Sequence, residues 1–177
     1  MANRCKDLPV ECWELIFSRL HHKSDLESFS VVSKQFLALT NRLRIGLTVI
    51  DSTLLTHGIK HIGKGAELPS LEVISAAGSA LNDEGLVMIG SRCSRLLKLN
   101  LENCKGVTAE GLHAMVKNCR SLREINLKKC PQVSINSLNN LVFSSSSLRR
   151  VIPPCCAAFT DSLKGFYLHH GCRVYSG

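Results

Sequence analysis

Aromatic residues are scarce in this chain, with six Phe, two Tyr and one Trp among 177 residues. That is too few for a base-stacking platform, and no run of five Lys or Arg accompanies them. Nucleic-acid binding is therefore not expected, despite a formal net charge of +8. Long apolar runs are missing too: nothing approaches the ~20 residues that span a bilayer, so no membrane partner is expected. Residues 1–7 contain Arg4 and Lys6 with no apolar core behind them, so a secretory leader is not expected. Nine cysteines in that setting read as thiols in a reducing compartment, not as a disulfide framework. The cytoplasm, the nucleus or both are the expected location. The charge is spread along the chain: residues 1–46 hold seven Lys/Arg against five Asp/Glu, and the remainder holds fifteen against nine. Scattered in this way, it reads as a solvated surface.

What the sequence does have is a pattern stated twice at a spacing of 26 residues. Leu96, Leu99, Leu101, Cys104, Val107, Thr108 and Leu112 recur as Leu122, Ile125, Leu127, Cys130, Val133, Ser134 and Leu138. Cys119 alone lacks its counterpart, Ser145 standing in its place. Self-similarity at a fixed period signals stacked repeats. Each unit opens L-x-x-[LI]-x-L-x-x-C, whose apolar residues two apart suit a short strand. Gly111-Leu112-x-x-Met115-Val116 then has helical spacing. A shorter copy precedes these two, from Leu71-x-x-Ile74-x-Ala76-x-x-Ser79 to Ile89. Another follows from Leu148, with Val151, Pro153, Cys156, Phe159 and Thr160 at the corresponding positions. Pro153 and Pro154 are thereby expected on a strand at the outer edge of the array, because proline cannot donate to a ladder. Leu163, Phe166, Tyr167 and His170 predict one more helix, and residues 173–175 a short terminal strand, together a thin cap.

The first 45 residues read differently, as a compact helical unit. Residues 8–20 predict a helix with Pro9 in its first turn, where a missing N–H costs nothing. Cys12, Leu15, Ile16 and Leu20 form an apolar stripe that Trp13 and Phe17 extend, more than the roughly 100° a surface helix needs. Ser24 and Glu27 make a capping box for a helical stretch through Leu26, Phe29, Val32, Phe36, Leu39 and Leu43, breaking near Ser30. A unit this small is near the limit for folding alone.

Leu8-Pro9-x-Glu11, residues 15–20, Asp25-Leu26 and residues 31–36 resemble an F-box in order and spacing. Phe36 stands where that family has Trp, and Cys12-Trp13 where it has two aliphatics; both changes keep apolar character. The resemblance implies docking on a Skp-type adaptor, and through it on the cullin and RING subunits of an SCF ubiquitin ligase. It assigns Leu8, Pro9, Leu15, Ile16, Leu20, Leu26 and Val32 to the adaptor contact. Surplus apolar surface on the first helix fits an interface independently. A helical cap that merely seals the repeats is the plainer alternative. The regular Cys104 and Cys130 resemble those of cysteine-containing leucine-rich repeats, which accompany F-boxes in one group of that family. The expected fold is therefore α/β: a three-helix F-box over residues 1–46, then about four leucine-rich repeats over residues 47–177. The repeats are expected as a right-handed solenoid, with a parallel sheet on the concave face and helices on the convex face.

No enzyme site is expected. Residues 58–65 match G-x-x-x-x-G-K but end on Gly65 where a phosphate loop needs Ser or Thr. His57 and His61 lack a third ligand, and Cys155, Cys156, His169, His170 and Cys172 lack C-x-x-C or H-x-x-x-H spacing. Cys93 and Cys119, and likewise Cys104, Cys130 and Cys156, recur with the repeat, as small buried hydrophobes would. No metal or cofactor is expected. Along each L-x-x-L-x-L strand the residues between the leucines face away from the core. That places Val73, Ser75 and Ala77, then Lys98, Asn100 and Glu102, then Glu124, Asn126 and Lys128, then Arg150 and Ile152 on one face. In register, Lys98 and Arg150 would flank Glu124, and Glu102 would meet Lys128. The resemblance implies that this face, through Lys98, Asn100, Glu102, Glu124, Asn126, Lys128 and Arg150, binds a protein substrate. Two functions are expected from it: a substrate-recognition adaptor of an SCF-type ligase, or a shortened scaffold or regulator that occupies the adaptor without delivering a target.

Overall fold

In the computed structural model the residues described are 9–19, 28, 39, 40, 42, 43, 45–48, 70–155 and 160–175. Five helices and six strands lie within them. The first helix, α1 (Val10–Ser18), starts behind Pro9, which has the extended backbone of a cap position (φ −53°, ψ 151°). Phe17 is the side chain α1 buries, stacked on Trp13 at 5.8 Å between ring centroids. Leu39 and Thr40 are buried as well, and Arg42 reaches back to Glu14 (3.0 Å). The capping box at Ser24, the turn near Ser30, the phosphate-loop near-miss and His57 with His61 lie outside the described residues.

From Val73 onward, strand and helix alternate. β1 (Gly46–Thr48) and β2 (Val73–Ser75) are followed by α2 (Asp83–Arg92), β3 (Lys98–Asn100), α3 (Ala109–Asn118), β4 (Glu124–Asn126), α4 (Ile135–Ser144), β5 (Arg150–Ile152), α5 (Asp161–His169) and β6 (Arg173–Val174). All six strands form one parallel sheet in chain order. The fold is α/β, and each coil stacks on the one before it.

The local chemistry that sets this alternation repeats with the sequence. Asn82, Thr108, Ser134 and Thr160 each stand at a helix N-cap, 26 residues apart. Their side-chain oxygens accept the free N–H of Gly85 (3.1 Å), Glu110 (3.2 Å), Ser137 (3.1 Å) and Leu163 (3.3 Å). Such a cap stabilises a helix by about 1 kcal/mol. The core runs without interruption between sheet and helices, from Leu71 and Ile74 to Tyr167 and Cys172. Cys104 and Cys130 are fully buried, and each Sγ donates to a carbonyl of the preceding coil, Ala76 O and Leu101 O, both at 3.0 Å. Among the described residues no buried side-chain polar atom lacks a partner.

Pro153 and Pro154 depart from expectation. They follow β5 instead of lying on it, and β5 is not the edge, because β6 pairs with it through Arg150↔Arg173 and Val151↔Val174. The proline exclusion still acts, one position on. Leu101 N and Leu127 N, at the position of Pro153, donate to the neighbouring coil at Asn126 O and Ile152 O (both 2.9 Å). Pro153 has no N–H with which to continue, and the last strand is correspondingly two residues long. The tail forms the expected helix and strand, with the Tyr167 hydroxyl donating to Asn139 Oδ1 (2.6 Å) to fasten α5 on α4.

Candidate functional site

Two surfaces stand out. The first is the outer side of α1. Val10, Leu15 and Ile16 are 39%, 63% and 42% exposed, and Cys12 is exposed beside them. The helix buries Phe17, half-buries Trp13, and leaves Val10, Leu15 and Ile16 exposed. Of the residues assigned to an adaptor contact, Pro9, Leu15 and Ile16 are on this surface. Leu8, Leu20, Leu26 and Val32 lie outside the described residues.

The second is the open face of the sheet. Register places Lys98, Glu124 and Arg150 side by side on β3, β4 and β5. Glu124 takes both cations at once, Lys98 Nζ at 3.2 Å and Arg150 Nη1 at 3.1 Å. A groove of about 590 Å³ lies along this row. Its lining includes Val73, Asn100, Asn126 and Ile152, and at the far end Tyr175, whose ring lies 5.7 Å from the Arg150 guanidinium carbon. Tyr175 went unassigned in the sequence because it belongs to the tail and has no counterpart in the repeats.

Asn100 and Asn126 have a structural duty as well as a place in the groove. Each Oδ1 accepts the backbone N–H two residues on, of Glu102 and Lys128, both at 3.0 Å. This is an Asx turn that ends the strand. Glu102 and Lys128 therefore sit in turns, outside the groove, and no ion pair joins them. The expected second charge pair does not form, because alternation of faces stops where the strands stop.

The buried thiols are held in their protonated form. Burial pushes the Cys93 thiol up to about 12 and those of Cys119, Cys130 and Cys172 up to about 11; Cys104 moves the same way for the same reason. A thiol whose pKa is raised by burial has less of the thiolate that attacks electrophiles and binds metals. The seven described cysteines are all free. Of the five tail residues weighed for zinc, Cys155, His169 and His170 are exposed, Cys172 is buried, and Cys156 lies outside the described residues. Among the described residues no three His, Cys, Asp or Glu gather as a metal site, and no helix is long and apolar enough to cross a membrane.

Residues 5–48 match the family model of the F-box domain, and that segment contains the whole of the bared helix α1. That segment is therefore similar to an F-box domain, and F-box domains dock on the Skp-type adaptor of SCF-type ubiquitin ligases. A comparison with curated proteins returns no match.

Proposed function

We propose that the chain is a substrate-recognition adaptor of an SCF-type ubiquitin ligase. The F-box domain docks on the Skp-type adaptor, the stacked coils act as leucine-rich repeats, and their sheet face receives a protein target. Cullin and RING subunits enter through the adaptor, and ubiquitin chemistry takes place on them. The chain itself is no enzyme on this reading. It works by proximity, turning attack by a target lysine into a local event. Its free thiols support a cytoplasmic or nuclear setting.

The observation that carries the reading is the exposure of Leu15 and Ile16 on a helix already anchored by Phe17 inside the F-box segment. Apolar side chains bared on an anchored helix are what an obligate partner covers. Leu15→Asp combined with Ile16→Asp is expected to abolish co-purification of a Skp-type adaptor while leaving thermal unfolding of the repeats in place. Undiminished adaptor capture would refute the docking. A second reading has support in Glu124, whose carboxylate is already shared between Lys98 and Arg150. With its central charges satisfied internally, the sheet face could belong to a regulator that occupies the adaptor without delivering a target. A reconstituted ubiquitination assay with captured binding partners separates the two.

A further inference from the structure

We propose that the edge of the array at the N-terminal ends of β3, β4 and β5 binds a phosphoryl group carried on a polypeptide segment. The site is a depression of about 440 Å³ lined by Leu97, Arg120, Ser121, Arg123, Ser147 and Arg149. Three arginines line it and no acidic residue does. Among the described residues none of the three is ion-paired, in contrast to Arg42, Arg95 and Arg150.

The backbone explains why these cations are left over. Residues 72, 97, 123 and 149 form one column, each N–H donating to the carbonyl before it: Leu97 N to Glu72 O, Arg123 N to Leu97 O, and Arg149 N to Arg123 O, all at 2.8 Å. The first coil places an acid in that column, and Glu72 is satisfied locally by Arg95 at 3.3 Å. The later coils place arginines there with no acid opposite. The carbonyls that could have absorbed them are already in use. Leu97 O also accepts from Glu124 N (3.0 Å), and Arg123 O from Arg150 N (2.9 Å). Arg149 is held in place by Nη1, which donates to Ser146 O (2.7 Å) and Leu148 O (3.1 Å), leaving the rest of its fork free. Among the described residues the Ser121 hydroxyl has no hydrogen-bond partner, and it is a further donor for an anion.

Three unpaired arginines around a small basin, one of them held by backbone carbonyls, suit a compact dianion with three acceptor oxygens better than a dispersed row of carboxylates. A nucleic-acid backbone fits poorly, because the cluster is confined to two coils and no aromatic ring lines it. The site is separate from α1 and from the sheet groove, and does not depend on adaptor docking.

The test titrates the full chain, at fixed ionic strength, with the blocked peptide Gly-Gly-phosphoserine-Gly-Gly and its serine and glutamate counterparts, followed by amide shifts and calorimetry. Saturable binding is expected for the phosphorylated peptide, roughly tenfold or more tighter than for the glutamate peptide, with shifts centred on residues 120–123 and 147–149. Arg123→Gln and Arg120→Gln, both at exposed positions, are each expected to weaken it by about fivefold or more without changing Tm. Lys98→Gln on the sheet face is expected to leave it unchanged. Equal affinity for the glutamate peptide, shifts centred on the sheet groove, or full affinity in the Arg120→Gln/Arg123→Gln pair would each overturn the assignment.

Discussion

At the scale of single residues, the stacking imposes conformations that the side chains do not choose. Gly78, Asn103 and Lys129 occupy one position in three successive coils, with φ of 70°, 59° and 58°. At each, the N–H is turned to the next coil, donating to Glu102 O (2.7 Å), Lys128 O (2.8 Å) and Pro154 O (3.1 Å). Glycine adopts that backbone freely and asparagine tolerates it; lysine does so only because the ladder requires it. Lys129→Gly is expected to stabilise the protein by about 1 kcal/mol, read as a higher denaturation midpoint at unchanged slope. Gly111 illustrates a demand of another kind. The Asp83 carboxylate bonds Thr108 N (2.9 Å) and Thr108 Oγ1 (2.6 Å), joining α2 to the cap of α3. A Cβ on Gly111 would run into that carboxylate and lie 2.8 Å from Asp83 Cα. Gly111→Ala is expected to cost about 2 kcal/mol by forcing the two helices apart, measurable in the same denaturation experiment.

At the scale of elements, a strand here is three residues with one inward side chain, and the side chains around it decide where it ends. The alternation L-x-L made Ile74, Leu99, Ile125 and Val151 legible as inward positions, and all four are buried. It also made the row Lys98, Glu124 and Arg150 legible as neighbours. It failed at Glu102 and Lys128, because alternation presumes an extended chain, and Asn100 and Asn126 fold the chain back before those residues are reached. The arginine basin was hidden for a similar reason. Arg123 and Arg149 do differ by one repeat, but which neighbour satisfies a surface cation is a three-dimensional fact. Within the row, Glu124 stays about a third exposed, so its two ion pairs are worth little despite their short distances. Glu124→Gln is expected to destabilise by no more than about 1 kcal/mol, a difference that fades in 1 M salt. A larger loss that persists in salt would mean that the row, and not the leucines beneath it, fixes the register.

Across the whole molecule, the repeat makes one chemical property collective. The buried thiols recur along the core because a small apolar group that can also donate weakly to a carbonyl suits the gap between coils. That role requires every one of them to stay protonated. Burial raises Cys93, Cys104, Cys119, Cys130 and Cys172 above the ordinary thiol value, four of them to about 11 or 12. Unfolding returns each to its ordinary value near 9.0. Between those limits the unfolded chain has released protons that the folded chain retains, so stability falls as pH rises. The contribution is fully present below pH 9 and is lost on the way to about pH 11, with five groups acting in the same direction. The protein is therefore expected to unfold cooperatively in that alkaline window, followed by circular dichroism together with thiolate absorbance. Replacing Cys104 and Cys130 by serine, whose hydroxyl does not titrate there, is expected to make the pH dependence shallower even if stability at pH 7 declines. A slope indifferent to both replacements would place the alkaline transition elsewhere than in the thiol column.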